Sequence, residues 1–192
     1  MKNSRFLPFL RLASVASAVV LIVQGSAQGM AATNEDKEKR LSFTAPSVPW
    51  SLTIPARDFV VRQKQFKPDG RSAYFSLTSK EEMLNVSFFI EPADRCQDSK
   101  SCRDMVWKMG NPAWENPRNV VLAEIGEVSY FEFLIPSFRG QPVQQQNMYA
   151  QFVVDGFWVD FHISKVLYTP DERKLFETLV KAIKFEPKKK KG

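Results

Sequence analysis

The amino-acid sequence predicts an α+β fold, in which a twisted and mainly antiparallel sheet has helices packed on it. The first observation is that apolar and polar residues alternate with a period of two through most of the interior, which is typical of strands with one buried face. The second is a segment near the end whose apolar residues recur at helical spacing behind a complete capping signal. Strands combined with an amphipathic helix indicate a sheet whose buried face the helix covers.

The alternation is clearest in residues 84–90, where every second side chain is large and apolar. Phe89 is an exception, because it falls on the polar side of that run. Residues 131–135 repeat the same pattern. Both segments are predicted strands that turn one face to the core and the other to solvent.

Turn residues separate the predicted strands. Asp155-Gly156 lies between the alternating runs 148–154 and 157–164, and this pair suits the positive dihedral angles of a type I′ hairpin turn. The other two predicted turns are Pro68-Asp69-Gly70, between runs 59–66 and 72–78, and Gly126, which follows run 120–125. We therefore expect consecutive strands to pair as antiparallel neighbours.

Two helices are predicted. Thr169, Pro170 and Glu172 supply an N-cap, a proline at the first helical position and a capping-box carboxylate. The apolar residues that follow share one face: Leu175, Phe176, Leu179, Val180 and Ile183. A shorter helix is expected over residues 101–109, where Gly110 ends it.

Residues 1–27 have the order of a secretory signal peptide. Lys2, Arg5 and Arg11 precede the uncharged run 12–23, and small residues at 25–27 suit signal peptidase. Residues 30–32 offer a competing cut as late as position 32. The apolar run is shorter than the roughly 20 residues that span a bilayer, so no transmembrane segment is expected in the mature chain. The sequence thus predicts a periplasmic or secreted protein.

The rest of the chain is predicted to contain a flexible polar segment (28–40), one globular domain (41–187) and a basic disordered tail (188–192). The formal charge of +6 drops to about +3 without the leader, and the lysines at 188–191 account for more than that remainder. A domain body of near-neutral charge argues against nucleic-acid binding. The tail itself can make weak contact with an anionic surface.

Several architectural positions carry a resemblance to a known family. They are Phe43, Pro49-Trp50 and Ile54-Pro55 near the start, and Asp155-Gly156-Phe157-Trp158 with residues 175–185 near the end. In these the chain resembles the PsbP/Mog-like fold, including bacterial DcrB-type exported proteins. The resemblance implies an α/β/α sandwich and an accessory or binding role without chemistry, and it leaves the partner open because fold does not select partners.

Cys96 and Cys102 are the two cysteines of the chain, and they are six positions apart in a polar segment. For an exported protein this spacing favours a local disulfide. Redox catalysis is the alternative, although the spacing differs from Cys-x-x-Cys. Two cysteines and one distant histidine are too few ligands for zinc, so no metal or other cofactor is expected.

Asp160 and His162 stand on the polar side of run 157–164 and are the basis of an enzymatic alternative, a hydrolase or metal-assisted enzyme. Same-face neighbours on one strand lie roughly 6 to 7 Å apart, too far for a direct hydrogen bond between them. The competing interpretation is structural, with both side chains paired to cross-strand neighbours such as Tyr149 and Gln151. No nucleophile motif accompanies them.

The segment from Cys96 to Arg118 is the predicted recognition surface. The candidate binding residues are Trp107, Asn111, Trp114, Glu115 and Arg118. Tryptophan, asparagine and arginine in proline-bounded loops are typical of contact surfaces, where amphipathic aromatic residues provide much of the energy. Trp107 also suits a core position on the short helix. The hypothesis is an exported noncatalytic accessory or binding protein of the cell envelope, whose partner is an envelope protein or a ligand.

Overall fold

The computed structural model describes residues 39–110 and 116–188. The predicted signal peptide, nearly all of the polar segment 28–40 and residues 189–192 of the predicted tail lie outside this part of the chain. The described elements, in chain order, are β1 (Arg40–Phe43), β2 (Trp50–Pro55), β3 (Val60–Phe66), β4 (Ala73–Ser79), β5 (Leu84–Pro92), α1 (Ser99–Met109), β6 (Arg118–Ile125), β7 (Val128–Phe138), β8 (Gln141–Val154), β9 (Phe157–Lys165), α2 (Arg173–Lys181) and β10 (Lys184–Pro187).

The strands form two antiparallel sheets. The large sheet has the order β3-β4-β5-β9-β8-β7-β6, and the small sheet has the order β1-β2-β10. In the large sheet, sequence neighbours pair as hairpins except at the centre, where β5 pairs with β9. The chain therefore builds one half of the large sheet, crosses over through α1, and returns to close the sheet from the other side.

One face of the large sheet packs against the small sheet and α2. Its core is aromatic: the rings of Phe88 and Phe161 stack with centroids 5.4 Å apart, and Phe43 of β1 meets the ring of Phe88 edge-on at 5.2 Å. Trp50 of β2 and Phe176 of α2 are buried in the same cluster. This core holds the alternating apolar residues of β5, whereas Phe131, Phe133 and Ile135 of β7 belong to a second cluster on the opposite face of the sheet.

The opposite face of the large sheet is covered by α1 over one half. Cys102 and Val106 of α1 are buried against aromatic residues of β7 and β9, including Phe131, Phe133 and Trp158. The other half of this face, across β3, β4 and β5, presents alternating side chains that are exposed or half-buried. A boundary between covered and open sheet therefore runs beside the C-terminal end of α1.

The predicted antiparallel sheet with packed helices is confirmed. The predicted α/β/α sandwich is found only in part. The layer opposite α1 consists of a three-stranded sheet together with α2. Residues near the start of the domain explain the difference. Leu52 and Ile54 of β2 are fully buried, so a strand covers the part of the core that a helix would cover in an α/β/α sandwich. The molecule is mainly sheet.

The predicted turns and helix signals are found where they were expected. Asp155 and Gly156 adopt φ values of 49° and 75° in the β8–β9 hairpin. The Thr169 and Glu172 capping box is present, and it begins with a 3₁₀ turn, Pro170–Glu172, before α2. Helix α1 starts two residues earlier than predicted, because the Asp98 carboxylate caps it by accepting the Ser101 N–H at 2.7 Å.

The ends of the described chain are attached to the domain. β1 already begins at Arg40, within the segment predicted to be flexible. Lys188, predicted as the first residue of a disordered tail, donates from Nζ to the carbonyl oxygens of Ala45 at 2.6 Å and Pro46 at 3.0 Å. Lys188 thus belongs to the folded domain. None of the helices in residues 39–110 and 116–188 is both long and apolar enough to cross a membrane.

Candidate functional site

The predicted disulfide is present. Cys96 and Cys102 are bonded, with Cα atoms 5.0 Å apart. Both residues are buried in the cluster beneath α1. The bond ties the segment after β5 to the first turns of α1 and thereby fixes how the helix enters its place over the sheet.

A cleft lies where the C-terminal end of α1 meets the open half of the large sheet, and we call it the helix-end cleft. It has a volume of about 230 Å³. Val106, Met109 and Gly110 line it from the helix side. The strands contribute six side chains to its lining: Tyr74, Ser87, Phe89, Tyr149, Asp160 and His162. The cleft thus joins the predicted recognition segment to the polar face of β9.

Asp160 is held by a chain of hydrogen bonds. The Trp158 indole Nε1 donates to Oε1 of Gln151 at 2.6 Å, and Nε2 of Gln151 donates to Oδ1 of Asp160 at 2.8 Å. Burial raises the pKa of Asp160 to about 6; the Gln151 hydrogen bond opposes this rise, and the nearby Glu91 carboxylate adds to it. Because Gln151 is fully buried, the position of the Asp160 carboxylate is set from within the sheet.

His162 is held as a neutral ring. Its Nε2 lies 3.1 Å from Oδ1 of Asn147, and this oxygen also accepts a hydrogen bond from Nε2 of Gln145 at 2.9 Å. The Asn147 amide nitrogen donates to the Gln145 carbonyl, so its oxygen faces the imidazole as an acceptor. His162 Nε2 therefore carries the proton and Nδ1 has the lone pair. Burial lowers the pKa of His162 to about 4.

No hydrogen bond joins Asp160 to His162 within the described residues. Each is bonded to an amide side chain of β8, Gln151 or Asn147, in agreement with the cross-strand interpretation. Ser87 stands opposite His162 in the β5–β9 register, yet no hydrogen bond joins the two within the described residues. A base with a pKa near 4 and no bonded nucleophile is poorly matched to proton transfer at neutral pH.

Aromatic rings form the walls of the cleft. Tyr74 and Phe89 are cross-strand neighbours whose ring centroids lie 4.6 Å apart. Phe89 is 45% exposed, which is unusual for phenylalanine in the middle of a strand. On the other side Tyr149 is stacked between His162, at a centroid distance of 4.1 Å, and Phe131, at 4.8 Å. Both faces of the Tyr149 ring are thus covered, and Phe89, with Tyr74 beside it, provides exposed aromatic surface next to the Asp160 carboxylate.

The predicted binding residues fall into two groups. Asn111, Trp114 and Glu115 lie outside the described residues. Trp107 is half-buried and packs its ring 5.3 Å from that of Phe131, which matches the core alternative. Arg118 is exposed at the first position of the edge strand β6, opposite Leu134 of β7.

Tyr74 and Ser87 were absent from the sequence-based candidates, and Val106, Met109 and Gly110 were included only as part of the segment 96–118. Phe89 had been noted only because it interrupts the alternation of its strand, and that exception was the available signal for an aromatic wall. In residues 39–110 and 116–188, no group of three or more histidine, cysteine, aspartate or glutamate side chains is arranged to hold a metal ion. The described cleft is thus a carboxylate with aromatic walls.

Comparison with known proteins gives a likeness to solved structures. No protein-family model matches the chain, and no curated protein matches it. The chain is similar to the solution structure of cyanobacterial PsbP (CyanoP) from Synechocystis sp. PCC 6803, with 14% identity, 83% of this chain and 97% of that chain covered, and a TM-score of 0.48. A PsbP protein is thus among the structures that the chain is similar to. The DcrB-type part of the predicted resemblance stays a prediction.

Proposed function

We propose that this chain is an exported, noncatalytic accessory or binding protein of the cell envelope, which recognises its partner through residues 96–118 and the helix-end cleft beside them. The observation that carries the proposal is the way the polar groups of the cleft are held. Asp160 and His162 are bonded to buried amides of β8, and each is fixed in place without being joined to a nucleophile. Such preorganised groups suit recognition more than reaction.

Two further observations support this proposal. The disulfide Cys96–Cys102 suits a compartment outside the reducing cytosol. It also anchors the first turns of α1, the helix that contributes Val106 and Met109 to the wall of the cleft. Export by a cleaved signal peptide, and a periplasmic or secreted location, are parts of the same proposal.

The experiment is a cross-linked capture of the tagged full-length protein from its native envelope fraction, with identification by mass spectrometry. The test variant is Trp114→Ala with Arg118→Ala, and the matched control is Val60→Ala with Lys64→Ala on the exposed strand β3 at the other edge of the large sheet. We expect one envelope protein to be enriched by the wild type and the control, and lost by the test variant at an unchanged melting temperature. Equal capture by both variants would count against this surface. Mass analysis of the exported product locates the signal-peptide cut.

The enzymatic alternative keeps one observation in its favour, because Ser87, Asp160 and His162 line the same cleft. It predicts a hydrolytic activity that disappears in His162→Gln while the protein stays folded. Screening ester, peptide and phosphoester substrates with the wild type and this variant decides between the two functions. An activity that survives the substitution removes His162 from any mechanism.

A further inference from the structure

The helix-end cleft contains a negative charge and no positive charge among its described lining residues. Of its described lining residues only Asp160 carries a formal charge at neutral pH, and Asp160 makes no ion pair within the described part of the chain. Two basic residues nearby are directed to another carboxylate: Nζ of Lys67 lies 3.5 Å and a guanidinium nitrogen of Arg95 lies 3.8 Å from Glu91. The half-buried Asp160 carboxylate therefore has the Gln151 hydrogen bond but no positive charge beside it among the described residues, which is a costly arrangement in a free protein.

The surrounding rings are of the type that attract a cation. The faces of aromatic rings carry partial negative charge, and a lysine or arginine group within about 6 Å of a ring centroid is stabilised by it. Tyr74 and Phe89 lie on one side of the cleft and Tyr149 on the other, with Asp160 in the same lining. A positive group in the cleft meets the exposed ring of Phe89 and the Asp160 carboxylate.

His162 adds an acceptor to the cleft and no competing charge. Its burial keeps the ring neutral at pH 7, and its proton is on Nε2, directed to Asn147. Nδ1 has no hydrogen-bond partner among the described residues and is free to accept one. An anion entering the cleft would meet the Asp160 carboxylate and the His162 Nδ1 acceptor, whereas a neutral apolar group would leave the carboxylate without compensation.

We infer that the helix-end cleft receives the ammonium or guanidinium end of a lysine or arginine side chain from a protein partner, an inference that rests on the proposed function. Charge complementarity selects the cation. The volume of about 230 Å³ suits a single side chain, since sites for larger small molecules usually begin near 300 Å³. The position at the end of α1, next to the proposed recognition segment, allows a partner's backbone to stay outside while one side chain enters.

The test uses short blocked peptides as probes. Each has two alanines on either side of a central lysine, arginine, norleucine or citrulline, and binding to the isotope-labelled full-length protein is followed by NMR. We expect the lysine or the arginine peptide to bind with a Kd on the order of 1 mM, as one side chain allows. Its shifts should concentrate at residues 87, 110, 160 and 162. The neutral norleucine and citrulline peptides should bind at least about tenfold more weakly.

Two substitutions with the same change of charge sharpen the test. Asp160→Asn removes the carboxylate of the cleft and keeps an oxygen to accept the Gln151 hydrogen bond. Asp155→Asn removes a carboxylate from the exposed β8–β9 turn and keeps a residue that favours the same turn. We expect Asp160→Asn to bring the lysine peptide down to the affinity of the norleucine peptide, while Asp155→Asn leaves it within about twofold. Phe89→Leu should weaken binding severalfold.

Equal binding of the charged and neutral peptides, or unchanged affinity in Asp160→Asn, would overturn the inference. Free methylammonium that binds as tightly as the lysine peptide would overturn the choice of a protein side chain as the occupant. The capture experiment separates this inference from the proposed function. If the Asp160→Asn variant still captures the partner, the proposed binding function stands and the inference of a bound cationic side chain is rejected. If the lysine or arginine peptide binds but no partner is captured, the cation preference is supported and the accessory role is contradicted.

Discussion

The imidazole ring of His162 lies nearly parallel to the phenol ring of Tyr149, with centroids 4.1 Å apart and an angle of 12° between the planes. Burial of this ring disfavours its protonation and lowers the pKa of His162 to about 4. Two residues away on the same strand, Asp160 has a pKa raised to about 6. The two groups therefore depend on pH in opposite ways over the same range.

We predict that these opposite dependences largely cancel in the wild type. The stability that Asp160 contributes is complete below its ordinary pKa of 3.8 and is lost as the pH rises through about 6. The contribution of His162 is complete above its ordinary pKa of 6.5 and is lost as the pH falls through about 4. Asp160→Asn should therefore make the free energy of unfolding fall by about 2 kcal/mol more than in the wild type between pH 7 and pH 4.5. Urea unfolding across this range measures the difference.

The complementary variant, His162→Phe, keeps an aromatic ring next to Tyr149 and removes the titration. Its free energy of unfolding, relative to the wild type, should rise by about 2 kcal/mol between pH 7 and pH 4.5. If the free energy of unfolding changes with pH in the same way in the wild type and both variants, then burial does not shift the pKa of either group.

Gln151 is predicted to be the least replaceable polar residue of the site. Gln151→Leu leaves the buried indole N–H of Trp158 and the Asp160 carboxylate without their partner, so we expect a loss of about 2 to 4 kcal/mol in the free energy of unfolding. Gln151→Glu keeps an acceptor for the indole but places a second carboxylate beside the first. Its destabilisation should shrink at acid pH, which a pH series of urea unfolding detects. A loss in Gln151→Glu that does not change with pH would contradict this account.

The disulfide is predicted to stabilise the domain modestly. By the chain-entropy model, a loop closed by residues six apart contributes about 2 kcal/mol. Replacing both Cys96 and Cys102 by alanine should lower the midpoint of urea unfolding accordingly and leave the slope unchanged. If the double variant is as stable as the oxidised wild type, then α1 is held by packing alone.

Two glycines with similar backbone angles are predicted to differ in their tolerance of alanine. Gly70 has a φ of 67°, and an added Cβ would lie 2.8 Å from Oγ of Ser47 and 3.0 Å from Cβ of Pro46. Gly126 has a φ of 62° with no atom within 4 Å of the added Cβ. We expect Gly126→Ala to cost about 1 kcal/mol, from backbone strain, and Gly70→Ala to cost about 2 to 3 kcal/mol because a clash adds to it. Thermal unfolding of the two variants side by side measures the gap, and equal losses would refute the clash.

The large sheet and both helices were predictable because their signals are local. Alternation over seven or more residues, the Asp155-Gly156 pair and the Thr169 capping box each act within one segment of chain. The small sheet was not predicted as a layer. Its outer strands, β1 and β10, have four residues each, too few for a period to show, and β10 pairs with a strand that is distant in sequence.

The site was predictable in its parts. Asp160 and His162 were interpreted as pairing with cross-strand neighbours such as Tyr149 and Gln151. Asp160 is hydrogen-bonded to Gln151, whereas His162 is hydrogen-bonded to Asn147 and stacks on Tyr149. Met109 and Gly110 border the cleft beside Asp160 and His162 because of where α1 packs on the sheet. The buried contacts of Cys102 and Val106 determine that position. No local pattern encodes that placement.

The pairing of β2 with β10 has a consequence for how the protein folds. Thr53 is in register with Lys184, so the small sheet closes a loop of about 130 residues, and Lys188 donates its backbone N–H to Pro49. Closing so long a loop costs entropy before any contact compensates for it, and domains dominated by such contacts fold slowly. During synthesis the layer over the main core stays incomplete until residues 184–188 have been made. That delay should slow the folding of the nascent chain relative to a domain in which only sequence neighbours pair.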